Sequence, residues 1–203
     1  MKAIFRICSL IFLVFLLGAN SFFLGAGQAQ APKASPPILL TACGQSPDTS
    51  TMKVVIQKSK IPYDLVELAT VQDLVNKKSS GMPYKTIIIL MGASLKGMGA
   101  AGISIDDEIK RTSELIDAAR RDKIMVIGAH IGGMKRRAQG AAVGDNTDEL
   151  SIDAVAPKSD LLLVLKEGNE DGRFTVIAKQ KKIPMIEVEK NLDLIPEIEK
   201  LFK

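Results

Sequence analysis

The chain holds two cysteines and one histidine, so its candidate nucleophiles and bases can be followed one by one. Cys43 ends the run Leu39-Leu40-Thr41-Ala42, where a strand is expected to turn into a helix. A helix N-terminus favours thiolate and anions alike, which makes Cys43 a reactive thiol, a ligand contact, or simply a small residue filling a tight turn. His130 ends another apolar run, a place for an acid–base group, an anion contact or an imidazole packed into a loop. If the two approach within hydrogen-bond reach, Cys43 as nucleophile and His130 as base fit a hydrolase or transferase; otherwise the catalytic residues are unknown. No second His, Cys pair or tight carboxylate cluster accompanies His130, so no metal site is expected.

Basic residues and glycines gather around the same strand ends. Lys96, Lys135, Arg136 and Arg137 are expected on one rim, with glycines whose backbone amides can approach an anion. The expected ligand contacts are Cys43, Gly44, Gln45 and Ser46 after the first strand, and Ser94, Lys96, Gly97 and Gly99 after the third. His130, Gly132, Gly133, Arg136 and Arg137 follow the fourth. Gly97-Met98-Gly99-Ala100-Ala101-Gly102 has the dinucleotide spacing between a strand and a helix. Its first glycine lies well past the strand tip, however, and the next strand ends in His130 where an acidic residue should meet the ribose. The segment reads as an Ala/Gly-rich flexible loop, and no cofactor is expected. Ala138 to Gly144, followed by Asp145 and Asn146, is loose enough to serve as a lid. Glu167, Asn169 and Asp171 supply acceptors or a turn.

The elements that must position these residues alternate between short apolar runs and helix-period segments, the pattern of a parallel sheet with crossover helices. Strands are expected over Ile38–Ala42, Tyr63–Leu68, Lys85–Met91, Ile124–Ala129, Leu161–Leu165 and Pro184–Val188. Helices are expected over Pro47–Lys58 with Ser46 as N-cap, Val71–Lys77, Ile105–Arg121, Asp148–Ala156, Phe174–Lys181 and Leu192–Phe202. Ile87-Ile88-Ile89-Leu90 and Leu161 to Leu165 are continuous apolar runs and hence central. The second and sixth strands carry charges and hence lie at edges. The fold class is α/β: a three-layer, doubly wound, mainly parallel sheet of about six strands, flavodoxin-like or Rossmann-like, in the order 2-1-3-4-5-6. Ligands of such sheets bind beyond the carboxyl ends of the strands, here between the first and third.

Residues 1–29 read as a signal peptide, with basic Lys2 and Arg6, an apolar run from Ile7 to Leu24, and small residues before a cut after Ala29. An uncleaved anchor is the alternative, and membrane contact is expected only through it. Leu40-Thr41-Ala42-Cys43 also has the form of a lipoprotein processing box, but it lies too far from the apolar run. Residues 30–37 read as a disordered tether and 38–203 as a single domain, working outside the cytoplasm, secreted or associated with the cell envelope. Lys2 and Arg6 leave with the leader while no acidic residue does, so the net charge of +4 falls to +2, too weak for a nucleic-acid partner. Cys8 leaves as well, so Cys43 has no partner for a disulfide.

The strings Leu39 to Pro47, Met91 to Gly97 and His130 to Gly133, together with Glu167-Gly168-Asn169, Asp171-Gly172 and Ile183-Pro184, resemble an uncharacterised family of exported bacterial single-domain α/β proteins, a domain of unknown function. The resemblance runs from about Pro37 to Lys203 and implies export and one α/β domain. It implies no activity. From the residues, the best reading is an extracytoplasmic binding domain for a small anionic molecule at the carboxyl edge of the sheet. A protein-interaction or envelope-associated domain without a small-molecule site, its partners unknown, is the alternative, and the Cys43–His130 enzyme is the other.

Overall fold

The computed structural model describes residues 31–137 and 146–203. The leader through Ala29 and the lid segment 138–145 lie outside the described residues. The strands are β1 (Ile38–Cys43), β2 (Tyr63–Leu65), β3 (Thr86–Met91), β4 (Met125–His130), β5 (Leu161–Leu165) and β6 (Met185–Val188). They form one sheet in the order β2-β1-β3-β4-β5-β6, every neighbouring pair parallel. Burial explains the order: β1, β3 and β5 are buried along their whole length, whereas every residue of β2 is only half-buried and β6 is partly open. A run apolar on both faces needs a helix layer on each side, which only a central strand has.

The helices are α1 (Asp48–Lys58), α2 (Val71–Ser79), α3 (Leu95–Ala101), α4 (Ile105–Arg121), α5 (Thr147–Val155), α6 (Arg173–Lys181) and α7 (Leu194–Phe202). Met52, Val55 and Ile56 of α1 and Leu194, Ile198 and Leu201 of α7 cover one face of the sheet. Leu74 of α2, Leu115 and Ile116 of α4, Ile152 and Val155 of α5, and Phe174 of α6 cover the other. This division follows from chirality, because a parallel crossover is right-handed and so changes face when the chain reverses direction across the sheet. The reversal falls between β1 and β3, paired through Cys43 and Met91, and leaves a crevice beyond their carboxyl tips.

Three local expectations are corrected. Residues 31–37 are not a free tether: Ala34 is buried and donates its N–H to the Leu201 carbonyl at 2.9 Å, while the Thr86 hydroxyl donates to the Ser35 carbonyl at 2.8 Å. The Gly97–Gly102 segment is not a flexible loop but most of helix α3. Ser94 caps it by accepting from Gly97 N–H, Gly102 ends it at φ +66°, and Met98 anchors it in the interior. Its amides therefore run along a helix and form no dinucleotide cradle. The N-cap of α1 is Pro47, one residue later than expected. Among the described residues no helix is long and apolar enough to cross a membrane.

Candidate functional site

The tips of β1 and β3 meet closely. Gly44 has φ +94°, and a Cβ on it would lie 2.9 Å from the Gly92 carbonyl oxygen, so only glycine fits there. Glu108, buried in the first turn of α4, accepts from Gly44 N–H at 2.8 Å. Arg111, one turn further, pairs with both Glu108 oxygens and donates to the carbonyls of Ala42 and Ala69 at 2.6 Å each. Gly92 N–H donates to Ser151 Oγ at 2.8 Å, and Ala93 N–H donates to the Asp148 carboxylate. The Gly44 amide, expected to meet an anionic ligand, and the neighbouring amides of Gly92 and Ala93 are thus held by side chains of α4 and α5.

Cys43 and His130 do not form a catalytic pair. Cys43 is fully buried, and burial pushes its thiol up to about 11, the reverse of an activated nucleophile. His130 points into the same face of the sheet but stands two strands away, beyond Met91, which the register sets between them. That separation is roughly 10 Å of backbone. The imidazole is also fully buried, stacked on Phe174 with centroids 5.2 Å apart. Its Nδ1 lies 3.1 Å from the Met91 carbonyl, which can only accept, so Nδ1 carries the proton and Nε2 is left without a partner among the described residues. Burial drives its pKa down to about 4. Cys43 and His130 are both interior residues, two strands apart.

Arg137 is also removed from the expected ligand set. Its side chain is sealed from solvent and lies over the Phe174 ring at 5.4 Å. It forms a fork with Glu149, donates to the Gly168 carbonyl at 2.7 Å, and pairs with Asp171 at 3.0 Å. With a longer bond to the second Asp171 oxygen at 3.4 Å, these engage the five N–H groups a guanidinium offers. Arg173 adds a second cation to Glu149 at 3.0 Å. The cluster ties the segment after β4 to α5 and to the turn after β5.

Arg136, by contrast, is exposed; its backbone N–H donates to the Gly133 carbonyl at 2.8 Å, but no described residue accepts a hydrogen bond from its guanidinium or pairs with it. Its side chain and the carboxylate of Asp48, at the start of α1, both pack on Gly132: a Cβ there would lie 2.7 Å from Arg136 Cγ and 2.8 Å from Asp48 Oδ2. Asp48 and Arg136 nonetheless form no ion pair. Across the crevice, Ser46 Oγ and Asp148 Oδ1 flank Gly92, 3.2 and 3.5 Å from where its Cβ would be. Burial raises both Asp48 and Asp148 above the ordinary carboxyl range; Arg136 opposes the shift in each case, and the Asp48 charge adds to it at Asp148. The candidate site is therefore Ser46, Asp48, Arg136 and Asp148 above the tips of β3 and β4.

Of the other expected contacts, Ser94 caps α3 and donates its N–H to the Gly44 carbonyl at 2.8 Å, and Gly97 packs on Gln45. Gln45 has φ +57°, and its buried Nε2 has no partner among the described residues. Gly133 packs on the carboxylate of Glu167, while Gly99 faces open space. Lys96 and Lys135 are exposed on the rim. A wide cleft of about 600 Å³ opens at the opposite, amino edge, lined by Pro32, Lys33, Arg120, Lys123, Ile124 and Asp160. There Asp160 already accepts from Val126 N–H and Arg120 donates to the Lys158 carbonyl.

Asp48, Asp148 and the Glu108–Arg111 pair escape the sequence reading, because acidic residues in a first helical turn are ordinary helix-start signals. Asp48, six residues past the expected strand tip at Ala42, offered a clue by position, whereas Glu108 and Asp148, 17 and 19 residues past theirs, offered none.

No curated protein matches the chain. Solved structures with a similar arrangement include a GDSL-like lipase from Bacteroides thetaiotaomicron, at 11% identity over 78% of this chain and 76% of that one, with a TM-score of 0.35. The acetyl xylan esterase AlAXEase matches at 10% identity over 81% and 85%, TM-score 0.38. The SGNH-hydrolase family esterase AlinE4 matches at 14% over 83% of each chain, TM-score 0.33. No residue role passes to this chain from likenesses of this size. Residues 35–202 match the model of the domain of unknown function DUF6305, and the chain belongs to that family.

Proposed function

We propose that this is an exported binding domain that holds a small anionic molecule at the carboxyl edge of its sheet, with Arg136 meeting the charge. One observation carries the reading. The Arg136 guanidinium stands exposed beyond the tip of β4 with no partner among the described residues, while Arg111 and Arg137 are engaged with the protein's own carboxylates. A free guanidinium matches carboxylate and phosphate through paired N–H···O bonds. Ser46 Oγ faces the same crevice, and Lys96 and Lys135 add positive charge to its rim.

A thermal-shift screen against inorganic phosphate, acetate, succinate and related small anions tests this, because a ligand of the native state raises its melting temperature. Arg136→Ala is expected to weaken a hit by about 1.5–3 kcal/mol, the size of a hydrogen bond to a charged group. That is a loss of roughly 10- to 100-fold in affinity. Arg137→Ala is a poor probe of the site, because removing one member of a buried ion pair costs about 3–5 kcal/mol of stability whatever the ligand. A screen without hits, or hits indifferent to Arg136→Ala, rejects the reading and moves the function to protein partners.

A further inference from the structure

An anion site needs a cation, yet this one presents two carboxyls beside it. Asp48 is half-buried, accepts no hydrogen bond from any described residue, and shares Gly132 with Arg136 without bridging to it. Asp148 uses one oxygen on Ala93 N–H, and no described residue donates to the other. Holding carboxylates out of water without a cation in contact is unfavourable. The crevice thus carries opposite charges side by side, none of them in an ion pair with a described residue. A purely anionic ligand would satisfy Arg136 and leave Asp48 facing like charge.

We propose that the ligand is zwitterionic, a small amino acid whose carboxylate is taken by Arg136 and whose ammonium is taken by Asp48 and Asp148, with Ser46 Oγ as a further acceptor. This rests on the reading of the carboxyl edge as an anion-binding site and adds the second charge. An ammonium has three donors and suits a cluster of carboxyl and hydroxyl oxygens. Asp48 Oδ2 and the Arg136 side chain both lie against Gly132, which brings an acceptor of an ammonium and a donor to a carboxylate to one place.

The test is calorimetric titration of the full chain with the common L-amino acids, with their N-acetyl counterparts, which lack the ammonium, and with simple amines such as ethylamine, which lack the carboxylate. The expected result is that an amino acid binds at least tenfold more tightly than either truncated form. That preference is lost in Asp48→Asn, which removes the charge but keeps the shape, and Arg136→Ala weakens the binding roughly 10- to 100-fold. Affinity for the amino acid is also expected to fall on acidification, as the carboxyls take up protons. If N-acetyl amino acids or succinate bind as tightly as amino acids and Asp48→Asn changes nothing, the zwitterion inference is overturned while the anionic reading stands. If neither amino acids nor any of the small anions bind, both are overturned.

Discussion

An imidazole sealed from water and fixed through one nitrogen has one comfortable charge state, and His130 is in that position. Protonating it would put a charge under Gly168 and close to Arg137, with only Glu149 to offset it. In the unfolded chain the same ring titrates near pH 6.5. Between about pH 6.5 and the folded value of about 4 the unfolded chain therefore binds a proton that the folded one refuses, so stability falls as the pH drops through that window. The loss is on the order of 3 kcal/mol. Asp48 and Asp148, raised by burial, work in the opposite direction, so the difference between the parent and a His130→Gln variant isolates the histidine. Urea unfolding at pH 7 and pH 4.5 is expected to show a smaller drop in His130→Gln; equal drops would mean that the ring is not held neutral. The sequence places His130 correctly at a strand tip, but which face it joins depends on strand register. The same limit hid Asp48 and Asp148, which converge only once α1 and α5 are set over one pair of strand ends.

At the scale of elements, alternation and cap chemistry made most of the architecture readable. Ser104 and Asp107 form a reciprocal cap of α4, and continuous against alternating apolar runs gave the strand order. The exception is α3. Each interior glycine lowers helix stability by about 1 kcal/mol relative to alanine, so a heptapeptide containing Gly97 and Gly99 reads as loop unless its ends are weighed. Ser94, Gly102 and buried Met98 outweigh that intrinsic preference here. The two glycines differ in consequence. A Cβ at Gly97 would crowd Gln45 at 3.1 Å, whereas one at Gly99 meets nothing within 4 Å. Gly99→Ala is therefore expected to stabilise the protein by about 0.5–1 kcal/mol, measured by chemical unfolding. A loss of stability there would mean that the segment is not helical in solution.

For the molecule as a whole, the central strands belong to two cores at once. Leu39 and Cys43 face the α2–α4–α5–α6 layer, while Leu40 and Ala42, their neighbours in the chain, face α1 and α7. Neither layer can leave without exposing strands that the other still needs covered, so the domain should unfold as one unit. The α1–α7 face is the place to test this, because two helices alone supply its buried helical residues among those described. Ile198 of α7 is fully buried, and truncating a buried isoleucine to alanine costs about 2–5 kcal/mol. Cys43 supplies an internal reporter on the opposite face, since its thiol is inaccessible and unreactive while folded. In a Cys8→Ser background, Ile198→Ala is expected to move the circular-dichroism transition and the onset of Cys43 labelling to lower denaturant together. Coincidence of the two curves means that a defect under α7 is felt across the sheet, as shared strands require. Loss of helix signal with Cys43 still protected would show instead that the α1–α7 layer melts alone, and that the carboxyl edge, where Asp48 opens α1, sits on the less stable half of the domain.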